Sequence, residues 1–176
     1  MEVRGKSGDE ALNEELQKTK FVAGLTPVVG PGIAVILQDS KPPSNRQFEI
    51  ENYIIHDITL QRLMNELNAS GAEAISINGQ RVTSRTAIRC VGPTALVNNV
   101  PLASPYEVRA IGDANTMIGA LNIPDGFMQY MRSVDPRMAR IERKTKMLIP
   151  AYTGTTDFRF AKPDEVKEKR AQEEKQ

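Results

Sequence analysis

Residues 71–113 read GAEAISINGQRVTSRTAIRCVGPTALVNNVPLASPYEVRAIGD, and their pattern decides the fold class. Ala74 to Ile77 is a short, mostly apolar run that ends at Asn78-Gly79, a pair that tolerates positive φ and so reads as a turn. Ala87 to Val91 and Thr94 to Val97 are β-prone runs on either side of Gly92-Pro93. Proline cannot donate to a sheet ladder, so this pair predicts a bulge or a break. Asn98-Asn99 suits a two-residue hairpin turn, because asparagine accepts the left-handed conformation. Tyr106 to Ile111 alternates Tyr106, Val108 and Ala110 against Glu107 and Arg109, the pattern of a half-buried strand. Gly112-Asp113 stops it, and Asp113 is a good N-cap for a following helix. The stretch predicts three or four strands in an antiparallel meander.

On the N-terminal side, Ser7 and Glu10 fit a capping box. Leu12, Leu16 and Ala23 fall on one helical face with Thr19 between them, too little apolar surface for an independent helix. The segment reads as the end of a coiled coil or as a helix lying on the domain, stopped by Gly24. Gly30-Pro31-Gly32 leads into Ile33 to Leu37, an apolar run of strand length that predicts a central strand buried on both faces. These glycines precede the strand and match no phosphate-loop spacing, so that reading is rejected. Ser40 to Gln47 reads as a mobile, irregular loop. Asp57 then caps an amphipathic helix with Leu60, Leu63, Met64 and Leu67 on its core face and Gly71 at its end.

Beyond the central stretch, Ala114 to Leu121 and Asp125 to Val134 are short helices split by Pro124. Met138 to Ile149 alternates, predicting a long final strand with Ile141, Arg143, Thr145, Met147 and Ile149 inward. Without the first helix the order approximates β-α-β-β-β-α-β, a ferredoxin-like α+β sandwich with helices on one face of an antiparallel sheet. The predicted organisation is an N-terminal helix over 1–24, one α+β domain over 25–160 and a charged tail over 161–176.

A net charge of +1 and 5% aromatic residues give no support to nucleic-acid binding or base stacking. One cysteine, Cys90, rules out an internal disulfide, and one histidine, His56, removes the usual zinc sites. No apolar run approaches the roughly eighteen residues that span a bilayer, so the chain reads as soluble. No cofactor is expected. Cys90 and His56 form a Cys-His dyad only if they meet in space and the thiol pKa is lowered. The plainer reading makes Cys90 a small core residue and His56 a helix-start residue. Asp57, Glu66 and Glu73 leave a carboxylate metal site open, with capping and solvation the simpler account. Arg81, Arg85 and Arg89 would share one face of a strand, either as an anion or ligand groove or as a solvated face paired with Glu73 or Glu107. Arg137, Arg140, Arg143, Lys144 and Lys146 form a second basic run.

The blocks LTPVVGPGIAVILQDS, YIIHD, NELNASGAEAISINGQRVT, TAIRCVGPTALVNN and SPYEVRAIGD, in this order, resemble the YlxW/YlxX-like bacterial family, a domain of unknown function (DUF881). The matching residues are His56, Asp57, Asn65, Glu66, Leu67, Gly71, Ala72, Glu73, Ala74, Ile75, Asn78 and Arg81, followed by Gly92, Pro93, Asn98, Pro105, Tyr106, Ile111 and Gly112. The resemblance implies an N-terminal membrane anchor, absent from this chain, then a coiled coil and this domain on the outer face of the membrane, encoded near division genes in Gram-positive bacteria. It supplies no catalytic residue. The expected function is a non-enzymatic envelope module that oligomerises or binds an envelope or division protein. The alternatives are a ligand or anionic-polymer binding domain using Asn78, Arg81, Arg85 and Arg89, and a Cys-His hydrolase.

Overall fold

In the computed structural model, which describes residues 3–162, the run Ile33–Leu37 forms the inner half of β1 (Val28–Leu37). β1 pairs antiparallel on both sides, with β7 (Tyr106–Ile111) and with β8 (Ala139–Ile149). β2 (Ala74–Ile77) adds to the far side of β7, and β3 (Gln80–Arg81) folds back on β2. The Asn78-Gly79 turn between them has φ of 44° and 80°, as its residues predict. The resulting order, β3-β2-β7-β1-β8, is that of a split β-α-β sandwich with β3 as an added edge. The ferredoxin-like reading holds.

α2 (Asp57–Ala69), α3 (Ala114–Leu121) and α4 (Phe127–Val134) form one layer over this sheet. Leu60, Leu63 and Leu67 of α2 are fully buried against Ile33, Val35, Leu37, Ile75, Ile77 and Val108. Gly71, at φ 87°, ends α2, with its N–H on Asn68 O and the Ala72 N–H on Leu67 O, a left-handed cap. Asp113 caps α3 by accepting the Thr116 N–H at 2.7 Å.

Several local readings give way to longer-range pairing. The central stretch is not one meander. β4 (Ile88–Val91), β5 (Thr94–Val97) and β6 (Val100–Leu102) form a separate three-stranded sheet, while β2, β3 and β7 join the main one. Gly92-Pro93 is neither bulge nor break but a two-residue hairpin turn, with Gly92 at φ 58° and Val91 opposite Thr94. A glycine at positive φ followed by a proline fixed near −65° fits a II′ turn. Asn98-Asn99 makes the second hairpin, at φ 52° and 65°. Ile88, Ala95 and Val97 reach the main core, so the small sheet extends it past α2. Ser44–Gln47 is not irregular; it opens a broken 3-10 segment, Ser44–Tyr53, whose Tyr53 is buried.

The second face of the main sheet carries no helix from the α2–α4 layer. On it β1 offers Gly30, Gly32 and Ala34. A Cβ on Gly30 would sit 2.7 Å from Ile111 Cγ2, and one on Gly32 would collide with the Ala110 carbonyl oxygen. The two glycines serve strand approach, not phosphate. Between them β8 carries one extra residue: Gly30 faces Met147 and Gly32 faces Lys144. This bulge reverses the facing of β8. Ile141 packs toward the helices, whereas Met147 and Ile149, predicted on that same side, close a small core with Val28, Ala74 and Ile111 on the other.

α1 (Val3–Val22) runs through Ser7, so Ser7 is not its start. It ends as expected at Gly24, φ 75°, with the Leu25 N–H on Lys20 O and the Gly24 N–H on Phe21 O. From Gly8 to Val22 every side chain is exposed, so the helix does not lie on the domain. The charged tail lies almost wholly outside the described residues.

One polar network locks the loop after β1 to the turn before β8. Asp135, buried at 7% exposure, accepts Arg137 Nη2 at 2.7 Å and the Arg137 N–H at 2.9 Å, and Ser40 Oγ also donates to it. The Arg137 side chain, then Ser40, holds the Asp135 carboxyl well below its ordinary 3.8. A depressed carboxylate adds stability above its unfolded pKa and loses it as acid protonates the folded state. Asp135→Asn should therefore cost about 1–3 kcal/mol near neutrality. In urea melts the gap from wild type should narrow as pH falls below 3.8; a pH-independent gap would remove the charge from the account. Gly32→Ala should cost about 3 kcal/mol or more in the same assay. Gly119→Ala, on exposed helix with open space around the new methyl, should gain about 0.5–1 kcal/mol.

Candidate functional site

The three arginines proposed as one strand face are dispersed. Arg81 lies in β3 of the main sheet, Arg85 in the connecting turn and Arg89 in β4 of the small sheet. A chain reversal at Thr83–Thr86, closed by the Thr86 N–H on Thr83 O, separates them. None forms an ion pair with Glu73 or Glu107 among the described residues; Glu107 pairs with Arg109 at 2.9 Å.

Arg81 is the singular one, at 6% exposure. Its Nη1 donates to Thr26 O at 3.2 Å and to Pro150 O at 3.3 Å, the carbonyls just before β1 and just after β8. Its own carbonyl accepts Asn98 Nδ2 at 2.9 Å. Burial pulls the guanidinium below its usual pKa, yet two carbonyl acceptors suit the charged form. Arg85, exposed, sits 4.8 Å from the Phe158 ring centroid and donates to Thr155 O at 3.3 Å. Arg89 is exposed on β4.

Asp57 and Cys90 do meet, by a route the sequence did not show, while His56 is joined to them only through the chain. His56, not Asp57, is the N-cap of α2, and its side chain makes no capping bond. Asp57 is the first helical residue, and its carboxylate accepts the Cys90 N–H at 2.9 Å. The Asp57 N–H in turn points at Cys90 Sγ, 3.1 Å away. The Cys90 backbone N–H, then the Ile58 N–H, draws the Asp57 pKa down against the effect of burial. Cys90 is exposed rather than part of the core. The His56 ring goes elsewhere, with Nε2 at 2.9 Å from Glu51 O and 3.6 Å from the Glu51 carboxylate. These bonds pin the helix start to β4.

The remaining candidates are structural by their contacts. Asn78 accepts the Glu107 N–H at 2.6 Å and donates to Pro105 O at 3.2 Å, tying the β2–β3 turn to β7. Tyr106 is buried, with its hydroxyl 3.4 Å from Leu102 O, and burial raises its pKa. Asn65 is exposed on α2, Glu66 is half-buried there, and Gly92-Pro93 is an exposed turn. Asp57, Glu66 and Glu73 do not gather: among the described residues no set of three potential ligands could hold a metal ion. The basic run is spent locally, Arg140 and Lys144 on Glu142 and Arg143 on Asn115.

Sequence reasoning passed over Phe21, Val22, Pro27 and Val28, which stand beside Arg81 and border with Ala74 and Ile111 an open cleft of about 490 Å³. The signal was there: Phe21 and Val22 are apolar, yet they lie off the Leu12–Leu16 stripe.

With the His56 ring held by Glu51, thiol and imidazole act separately. Cys90 in the native protein should react freely with a maleimide, and His56→Ala should leave the pH profile of that reaction unchanged. A profile displaced by His56→Ala would restore the dyad.

Comparison with known proteins agrees with this architecture. Residues 15–162 match the bacterial proteins of unknown function grouped as DUF881. The chain is 34% identical to the UPF0749 protein YlxW of Bacillus subtilis over 118 residues, covering 67% of this chain and 51% of YlxW. It is 30% identical to the UPF0749 protein YlxX of the same organism, covering 88% of this chain and 65% of YlxX. The chain thus spans about half the length of YlxW. A crystal structure of an uncharacterised conserved protein from Mycobacterium tuberculosis superposes with a TM-score of 0.65 at 26% identity, over 85% of this chain and 99% of that one. None of these relatives carries a description that indicates catalysis. With the match extending across the whole sheet domain and the last turns of α1, the chain belongs to the bacterial DUF881 family.

Proposed function

We propose that this chain is a non-catalytic interaction module that self-associates through α1. The observation that carries the reading is the exposure of that helix: Leu12 is 67% and Leu16 47% exposed, and no side chain from Gly8 to Val22 is buried. A solitary helix of twenty residues is marginal in water, because propensity alone barely offsets nucleation. Leu12, Leu16, Thr19 and Ala23 recur at spacings of four, three and four, the stripe that a second helix would cover. The long β8 edge is a weaker candidate for the contact: Arg140, Lys144 and Lys146 and its bulge are features that discourage strand addition. The family resemblance extends the proposal to a setting on the outer face of the membrane, with a division protein as the other candidate partner. Among the described residues no helix is long and apolar enough to cross a membrane.

Light scattering on this chain, on a version beginning at Leu25 and on a Leu12→Glu, Leu16→Glu variant tests the reading. A dimer in the first and monomers in the other two are expected. A dimer that survives truncation would move the contact to the sheet domain, and a monomer throughout would end the self-assembly proposal.

A further inference from the structure

Arg81 spends only one of its three nitrogens. Nη1 takes both carbonyls, Nε is buried without a partner, and Nη2 makes no hydrogen bond among the described residues. The Nε–Nη2 edge is the side of a guanidinium that receives a carboxylate in two parallel bonds. Leaving it unused in a buried setting is costly, since an unpaired buried donor forfeits its hydration. Ser76, directly opposite Arg81 in register and fully buried, also has an unpartnered Oγ.

Nε is closed off from solvent, which leaves Nη2 as the donor free to meet a ligand. Gly24 lies alongside, where a Cβ would stand 3.6 Å from Arg81 Nε, and its φ of 75° disfavours any side chain there. Arg81 lines two cavities, the one of about 490 Å³ under Phe21 and Val22 and a second of about 230 Å³ toward Asn68 and Thr83. The larger lies within the roughly 300–1,000 Å³ range of small-molecule sites. Its walls are mostly apolar, with Glu73 the other charged group.

We propose that Arg81 anchors a binding site for a small monocarboxylate with an apolar tail. The carboxylate takes Nη2–H, with the buried Nε–H beside it, and the tail lies between the last turn of α1 and the sheet face at Val28, Ala74 and Ile111. Glu73 in the same lining opposes any anion, and it opposes a singly charged carboxylate less than a doubly charged phosphate, which sets a carboxylate above a phosphate. The site does not depend on self-association, and it needs the chain with α1 intact, since Phe21 and Val22 are its walls.

The test is a titration of the isotope-labelled full chain with octanoate, acetate and inorganic phosphate, followed by NMR at Arg81 Nε–H and at the Val22, Ala74 and Ile111 amides. Octanoate should shift all four signals, with acetate about tenfold weaker or more and phosphate without effect at Nε–H. Because Arg81 also holds Thr26 and Pro150, Arg81→Lys is paired with two variants at exposed positions. Val22→Asp should weaken octanoate by about tenfold, and Glu73→Gln should tighten it. An unshifted Arg81 Nε–H, phosphate matching octanoate, or equal affinity in both exposed variants would overturn the proposal.

Discussion

The close approach of β1 to β7 is the constraint on which the rest depends. At Gly32 the neighbouring strand's carbonyl occupies the space a side chain would need, and at Gly30 the Ile111 side chain does. Only with both positions empty can β1 carry ladders on both sides, with β7 and with β8. Ile33, Val35 and Leu37 then point together at the helix layer, and the stripe of α2 has a surface to bury. Hydrophobic burial supplies the stability here, but backbone sterics decide that this sheet, and no other register, receives it.

The sheet's two faces are consequently unlike. One is a broad apolar core under three helices. The other is a small cluster at one end, Val28, Ala74, Ile111, Met147 and Ile149, beside paired charges such as Arg109 with Glu107 and Lys144 with Glu142. The β8 bulge is what allows one strand to serve both. Near the small cluster, Arg81 grips the segment entering β1 and the segment leaving β8, so one buried cation secures both ends of the domain.

How far the sequence could be read follows from the range of each interaction. The Leu60–Leu67 stripe, the Asn78-Gly79 and Asn98-Asn99 turns, the Tyr106–Ile111 alternation and the Asp113 cap depend on neighbours in the chain, and all were legible. The reversed facing of Met147 and Ile149 was hidden, because the extra residue in β8 is defined only against β1. Arg81, Arg85 and Arg89 keep a regular spacing in sequence, yet a reversal in the chain puts them in different sheets. Cys90 read as a core residue because its neighbours are β-prone; its exposure depends on where the small sheet meets α2. Likewise the Asp57 carboxylate looked like a cap, and only the fold could supply the Cys90 N–H that claims it.

The junction between α1 and the domain has a mechanical consequence. Three residues separate the left-handed Gly24 from β1, and each side of that short span is tied. The Tyr152 N–H holds Gly24 O, the Leu25 N–H closes on Lys20 O, and Arg81 holds Thr26 O. A joint so fastened has no slack in which to swivel. α1 is therefore a lever rather than a tether: a twist or tilt applied along the helix is delivered to β1, the strand at the middle of the sheet's pairing, instead of being absorbed at a hinge.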